Sequence, residues 1–396
     1  MVQTKLCIVT HTFLPHVGGI EKVVNEQSKR LLTRNFEPMI VTNRIGTPKH
    51  YVVDGVNVEC YESLNTGFRL GIPYSIPTVP SFGTFLKAVK SSKIVHAHGH
   101  PYLTSLIAAK LAKRYNKPFV LTQHNTFIEY DNIFDKIERL NDLAVGKETL
   151  KEADKIITVS YAMKEDLSKH GWQSSKISVV WNGVDAKRYD PINVSKQEIE
   201  QIRNKYGIPT DWNMLLFVGR LAWVKGVRNL LQAMPLVLKE FPNTKLVILG
   251  RGEEQGDIVE TADRMSIKDN IVYRFDFVSE QERILHYAAS DVCVFPSTYE
   301  PFGIVSLEAM AMEKPVVVGA RGVVGFKEQI INGGPDQNGV HVNGEDPADI
   351  AWGIMQTLRD PEKAKNWGEN GRRRVLEYFT WQKVAEQTIK IYESLL

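Results

Sequence analysis

The sequence is short of cysteine, of net charge and of long apolar runs, and each shortage excludes something. Three cysteines stand among 396 residues, Cys7, Cys60 and Cys293, far apart and with no Cys-x-x-Cys pair. Such spacing excludes a disulfide framework and a cysteine zinc site, and it fits a reducing compartment. The 49 basic and 46 acidic side chains leave a formal net charge of +3. That balance does not point to a nucleic-acid partner. No run of 18 or more apolar residues occurs, so no membrane-spanning helix is expected. The chain starts almost directly on the strand-like KLCIVT, which does not read as a secretory leader, and a cytoplasmic protein is expected. Asp-x-Asp is absent as well. A metal-bridged diphosphate site usually draws on clustered carboxylates, so no metal site is expected. Finally, no Gly-x-Gly-x-x-Gly follows the first strand pattern, which disfavours a nicotinamide-dependent oxidoreductase.

What is present is a regular alternation. Hydrophobic content of 43% and charged content of 24% are those of a soluble globular chain, and the length asks for two domains. Short β-branched apolar runs at 5–10, 37–42, 93–97, 118–123, 155–160 and 176–180 read as strands covered on both faces. Helical patterns such as Ile20–Leu32 and Tyr102–Arg114 separate them. Strand, helix, strand in series means a parallel, doubly wound α/β sheet. Residues 185–212, with Pro191, Gly207, Pro209 and many polar side chains, read as a linker. A second series follows at 214–219, 245–250, 270–275, 291–296 and 314–319, and the chain closes on an amphipathic helix over 380–396. Two tandem Rossmann-like domains facing a cleft are therefore expected, with ligands beyond the carboxyl ends of the strands.

The candidate groups all follow strand ends. STYEPFGIVSLEAM (297–310) puts Glu300, a proline and Gly303 before a helix that carries Glu308. Phe302, Gly303 and Ile304 would present backbone N–H groups at a helix start, suited to phosphate or sugar oxygens, and the two carboxylates could accept from hydroxyls. The bland alternative is a surface loop and a solvated helix. FVGRLAWVKG (217–226) ends a strand at Gly219 and then supplies Arg220 and Lys225, one a bidentate phosphate grip and the other a point charge, or simply two solvated cations. In HTFLPHVGGIEKVV (11–24), Gly18 and Gly19 open a helix and would let backbone approach an anion; otherwise they make a simple turn. IVHAHGH alternates His96, His98 and His100, so a three-histidine metal site has to be weighed, although the strand ends near His98 and breaks the common face. His124, at another strand end, is either a core histidine or a sugar-facing one. GRGEEQG (250–256) has the spacing GxGxxxG and is a weak dinucleotide signal. The helix at 102–117 is basic on one face, with Lys110, Lys113, Arg114 and Lys117, which fits either solvent or anionic lipid.

Taken together, GGIE, NGVD (182–185), GRL…KG, PSTYEPFGIVSLEAMA and TWQKVAEQTIKIYESL come in the order and spacing of the retaining glycosyltransferases of family 4. The chain resembles that family over nearly its whole length, and the Glu-x7-Glu element is the most specific part of the likeness. The resemblance implies the GT-B fold, with an acceptor-binding domain over 1–186, a nucleotide-sugar-binding domain over 187–379 and a helix over 380–396 crossing back. It implies that Arg220 and Lys225 bind the donor diphosphate, that Glu300 contacts the donor sugar and that Glu308 contacts the ribose. Phe302, Gly303, Ile304 and Val305 would line the donor pocket. Gly18, Gly19 and Gly219 would lie against the donor. His124 would sit beside the transferred sugar, Glu21 and His98 nearer the acceptor, and Asn182 on a loop before the hinge. Base recognition would lie around Tyr273–Phe277. The expected reaction transfers a hexose from a nucleoside-diphosphate sugar, a UDP-hexose favoured, to a hydroxyl acceptor, with no separate cofactor and no metal. The acceptor stays open among a lipid, an inositol derivative and a surface saccharide, the lipid case placing the protein peripherally at the inner membrane face. Glucan synthases share YEPFGIV but carry a lysine two residues before the paired glycines, where this chain has His16. A glucan-synthase-like enzyme is the nearest alternative, and an NAD-dependent oxidoreductase or a non-catalytic nucleotide-sugar binder the alternatives of other classes.

Overall fold

A computed structural model describes residues 3–16, 18–64, 75–125 and 139–396. Two compact units divide the chain, one made of residues 1–182 with 381–396 and the other of 183–380.

The first unit is built on strands β1 (Thr4–Thr10), β2 (Phe36–Asn43), β3 (His50–Val53), β4 (Val56–Tyr61), β7 (Ile94–His98), β8 (Phe119–Gln123), β9 (Lys155–Thr158) and β10 (Ile177–Val179), with β5 (Ser63–Leu64) and β6 (Ile76–Pro77) as a separate two-stranded ribbon. The main sheet runs in the order β10-β9-β8-β7-β1-β2-β4-β3. Every pairing in it is parallel except β3 with β4. The cause is the composition: all five residues of β7 and of β8 are buried, so both faces need helices over them. Phe85, Val89, Ala108 and Ala112 come from those helices and pack on Val95, Ala97, Phe119 and Leu121. Each large apolar side chain buried this way contributes about 1.5–3 kcal/mol. The antiparallel edge was not expected. It turns at Asp54 and Gly55, both at positive φ (49° and 82°), the geometry of a tight hairpin.

The second unit holds β11 (Asn213–Val218), β12 (Thr244–Leu249), β13 (Ile271–Arg274), β14 (Val292–Phe295), β15 (Val316–Gly319) and β16 (Gly339–Val342) in the order β13-β12-β11-β14-β15-β16. All of its pairings are parallel. The stretch 185–212, expected as linker, belongs to this unit and contains the helix Lys196–Lys205. Ser195 and Glu198 form a reciprocal capping box that starts it. Arg203 then fastens it, buried and donating to the carbonyl of Ala289 at 2.9 Å. The final helix, Trp381–Glu393, groups with the first unit and packs on the helix Gly19–Leu32. Among the described residues, no helix is long and apolar enough to cross a membrane.

Candidate functional site

In the second unit the candidate groups gather at the carboxyl ends of β11, β12 and β14, which are neighbours in the sheet. Beyond β11, Gly219 leads to Arg220, and a single helical turn, Trp223–Lys225, delivers Lys225. Beyond β14, Glu300 is held by its backbone, its N–H donating to Val323 O at 3.0 Å and its carbonyl accepting from Gly325 at 2.7 Å. Lys225 Nζ then donates to Glu300 Oε2 at 2.6 Å, with side-chain exposures of 23% and 12%. A half-buried ion pair is weak evidence for stability, because desolvation offsets the attraction. The pair stands beyond the carboxyl ends of two neighbouring parallel strands, β11 and β14, where α/β sheets bind ligands.

Gly303 is N-cap of the helix Ile304–Ala311 at φ +87°, and no side chain caps that end. An added Cβ would lie 2.0 Å from the Phe326 ring, so only glycine fits. Phe302 is buried beneath the loop, while Ile304 and Val305 begin the helix half-exposed. No side chain caps the first N–H groups of that helix, and such groups can donate to phosphate or sugar oxygens. Glu308, one turn in, is only 3% exposed. Its Oε2 accepts from the Tyr287 hydroxyl at 3.1 Å, and Oε1 lies 3.8 Å from Arg283 Nη2. It is a buried, supported carboxylate rather than an open one. Arg220 is different: 69% of its side chain is exposed, and it pairs with Glu253 at 3.2 Å.

The GRGEEQG stretch, weighed as a dinucleotide loop, does a packing job. A Cβ at Gly250 would meet Gly219 O at 1.8 Å, and one at Gly252 would meet Leu221 O at 2.2 Å. Leu221 N–H donates to Arg251 O at 2.7 Å, and Glu254 N–H donates to Leu221 O at 3.0 Å. These glycines let one loop lie against the backbone of the loop that carries Arg220.

In the first unit, Gly18, Gly19, Glu21, His98 and His124 lie at the carboxyl ends of β1, β7 and β8, again neighbours. Gly18 is the extended N-cap of the helix Gly19–Leu32, and a Cβ at Gly19 would touch nothing within 4 Å, so the backbone there is open to close approach. Val17 of this loop and Thr126 after His124 lie outside the described residues. Glu21 is buried and accepts from the Thr12 hydroxyl, with His16 Nε2 3.9 Å away. His98 Nδ1 and His124 Nε2 share a hydrogen bond of 2.9 Å, and their rings stack at 5.2 Å. Burial lowers His124 to about 4 and holds His98 well below the ordinary histidine range, so both are neutral near pH 7. Asn182 is buried at the last residue of the unit's main segment.

The alternating histidines do not converge on a metal. His96 is engaged at both ring nitrogens, by Tyr392 at 2.6 Å and by Thr122 at 2.7 Å. His100 pairs instead with Asp142 at 2.6 Å. Among the described residues, no group of three or more histidine, cysteine or carboxylate side chains could hold a metal ion. The basic helix face is also not a free stripe. Lys110 bonds Glu148 at 3.0 Å and Glu152 at 2.8 Å, and Lys113 pairs with Glu152 at 2.7 Å. Sequence reasoning did not single out the supporting residues Arg283, Tyr287, Glu253, Thr12 and Tyr392. Arg283 and Tyr287 stand four apart on one helix, the spacing that shares a face, and this was the one local signal available.

Comparison with known proteins places the fold and the family. Residues 17–188 match the model of Glycosyltransferase Family 4, and residues 198–374 match that of Glycosyl transferases group 1. An uncharacterised glycosyltransferase of Methanocaldococcus jannaschii is 30% identical over 410 aligned positions, covering 98% of each chain. The glycogen synthase of Mycobacterium tuberculosis is 33% identical over 300, covering 74% of this chain and 67% of that one. Among solved structures, HepE of Anabaena in complex with UDP and glucose superposes with a TM-score of 0.80 at 18% identity, covering 99% of this chain and 100% of that one. The sucrose-phosphate synthase of Thermosynechococcus elongatus gives 0.76 at 22%, covering 99% of each. The chain therefore belongs to the glycosyltransferases of the GT-B fold, an enzyme whose first half is of the Family 4 kind and whose second is of the group 1 kind.

Proposed function

We propose that this glycosyltransferase moves a hexose from a nucleoside-diphosphate sugar, a UDP-hexose above all, to a hydroxyl acceptor with retention at the anomeric carbon and without a metal. The observation that carries the reading is the Lys225–Glu300 pair at 2.6 Å beside the uncapped helix start at Gly303. A cation, a carboxylate and free backbone N–H groups in one place suit a sugar diphosphate, whose phosphates need donors and whose hydroxyls need acceptors. Lys225 and Arg220 would hold the diphosphate and take up charge as it leaves, Glu300 would accept from the sugar hydroxyls and Glu308 from the ribose.

In the reaction, the bond from the anomeric carbon to the phosphate oxygen breaks. The acceptor oxygen forms its new bond on the same face, and its proton passes to the departing phosphate. Nucleoside diphosphate leaves, and no enzyme nucleophile is consumed. The protein's part is positioning and charge stabilisation. Neutral His124 would hydrogen-bond the transferred sugar, with Glu21, His98 and Asn182 on the acceptor side. Relatives include a glycogen synthase and a D-inositol 3-phosphate glycosyltransferase, so the acceptor is proposed only as a hydroxyl, whether lipid-linked, inositol-type or saccharide. Glucan synthesis is the second reading, favoured by the 33% identity to glycogen synthase and opposed by His16 in place of lysine.

The test is thermal stabilisation by UDP-, GDP- and ADP-sugars and by NAD, with and without EDTA, since a ligand of the native state raises the melting temperature. A shift with a UDP-sugar that EDTA leaves unchanged is expected. A shift with NAD alone, or with none of them, would overturn the reading.

A further inference from the structure

The proposed chemistry gives no task to His96 or His100 of the alternating run; His100 is taken up by Asp142 at 2.6 Å, and His96 is the one whose ring lies against His98. It is completely buried on β7, and burial lowers it to about 3. A neutral imidazole has one N–H and one lone pair, and a buried one needs a partner for each. Here both partners are hydroxyls: Tyr392 Oη lies 2.6 Å from Nδ1 and Thr122 Oγ1 lies 2.7 Å from Nε2. A hydroxyl can donate or accept, so the two fix the ring plane without demanding a charge. Tyr392 is itself completely buried near the end of the helix Trp381–Glu393, held against Phe36 at 5.8 Å between ring centres. Thr122 is the backbone partner of His98 across β7 and β8 and stands two residues before His124.

The pinned ring continues upward. His96 and His98 rings lie 4.4 Å apart, tilted by 32°, and His98 both stacks on and hydrogen-bonds His124. The order is therefore Tyr392, His96, His98, His124, from the last turn of the chain to the candidate sugar-facing histidine. We infer that Tyr392 is a positioning residue for the His98–His124 pair, acting through His96, so that the C-terminal helix is part of the active site of the first unit as well as of its packing. This rests on the proposed roles of His98 and His124. A core polar contact with no such role would need only to be satisfied; it would not have to end in a stacked row at the strand ends.

The test uses full-length protein labelled with 15N-histidine, as wild type, Tyr392→Phe and, as an independent second cut, Thr122→Val. Both substitutions keep the shape of the side chain and remove one hydroxyl. Ring-nitrogen resonances report tautomer and ring order for each histidine. Release of UDP from UDP-glucose, with water as acceptor, reports turnover, and calorimetry reports UDP affinity. In both variants the His98 and His124 resonances are expected to split or broaden, turnover to fall about five- to tenfold and UDP affinity to stay within about twofold. If only the His96 resonances change while His98, His124 and turnover stay as in wild type, the inference is overturned and Tyr392 is merely structural. If the wild type neither binds UDP nor releases it, the UDP-hexose reading fails on its own, and the His98 and His124 resonances still decide the inference.

Discussion

The two units put their candidate groups at the same end of similar parallel sheets, but with opposite electrostatics. In the first unit the groups at β7 and β8 are buried imidazoles held neutral by desolvation. In the second, the groups at β11 and β14 are a cation and a carboxylate paired at 2.6 Å. Neutral rings can orient a sugar without a charge mismatch, whereas a diphosphate needs fixed cations and amide donors. On the proposed roles, two related α/β units are specialised by what their strand ends carry and not by the sheets themselves.

The strongest way to break this comparison is at its charged half. Glu300→Gln keeps the shape and removes the charge that faces Lys225. A loss of about 10²–10³ in kcat is expected, the scale seen when one electrostatic contact to a reacting group is removed. Steady-state kinetics with a UDP-hexose checks it, and full turnover in the variant would mean that the pair is only structural. The corresponding His124→Gln in the first unit should cost less, because a neutral hydrogen bond is being exchanged for another.

The neutral half is broken by acid. His96, His98 and His124 have folded-state values below the ordinary 6.5, the first about 3 and the last about 4. A base whose folded value is depressed stabilises fully above 6.5 and loses that contribution as pH falls towards the folded value. Each such histidine adds a slope of up to about 1.4 kcal/mol per pH unit in that window. The melting temperature should therefore drop steeply between pH 6.5 and 4. His286 and His341 of the second unit are lowered by burial too, so the first unit's share is read by difference. A variant with His96 and His98 both replaced by glutamine should lose a large part of the slope, and an unchanged slope would place the acid sensitivity elsewhere.

Backbone distinguishes the units next. The helix start in the second unit depends on Gly303 at φ +87° with Phe326 against it, whereas Gly19 in the first has open space around it. Gly303→Ala should destabilise by about 1–3 kcal/mol from the strained dihedral and the clash. Gly19→Ala should be within about 1 kcal/mol of neutral for folding while weakening ligand approach. Paired denaturation curves check both, and equal effects at the two positions would remove the distinction.

How much of this the sequence made legible follows from range. The parallel sheets were readable because strands buried on both faces carry unbroken apolar runs, as in IVHAH and FVLTQ. The hairpin at Asp54-Gly55 and the capping box at Ser195 and Glu198 had local signals that an emphasis on apolar runs passed over. The candidate loops stood out because they follow strand ends and bring glycine or charged side chains there. Their supports did not: Tyr392 meets His96 across 296 residues, and Tyr287 meets Glu308 across 21. No periodicity in a single sequence encodes such a meeting.

The mildest test concerns the exposed cation of the second unit. Arg220 is held by Glu253 at 3.2 Å, with 69% and 49% of the two side chains exposed. An exposed pair of this kind is worth about 0.2–1 kcal/mol and weakens with salt. If Arg220 is to reach a diphosphate, it must leave Glu253, so the carboxylate competes with the ligand. Glu253→Gln should then leave the melting temperature within about 1–2 °C and tighten UDP binding by about two- to fivefold at low salt. The gain should shrink as ionic strength rises, because the lost competitor was an exposed charge. Lys225, whose partner Glu300 is also meant to contact the ligand, should show no such gain when that partner is removed. A Glu253→Gln variant that binds UDP more weakly would show that Glu253 orients Arg220 for the phosphates, and it would bring the exposed and the half-buried pair of this unit under one rule.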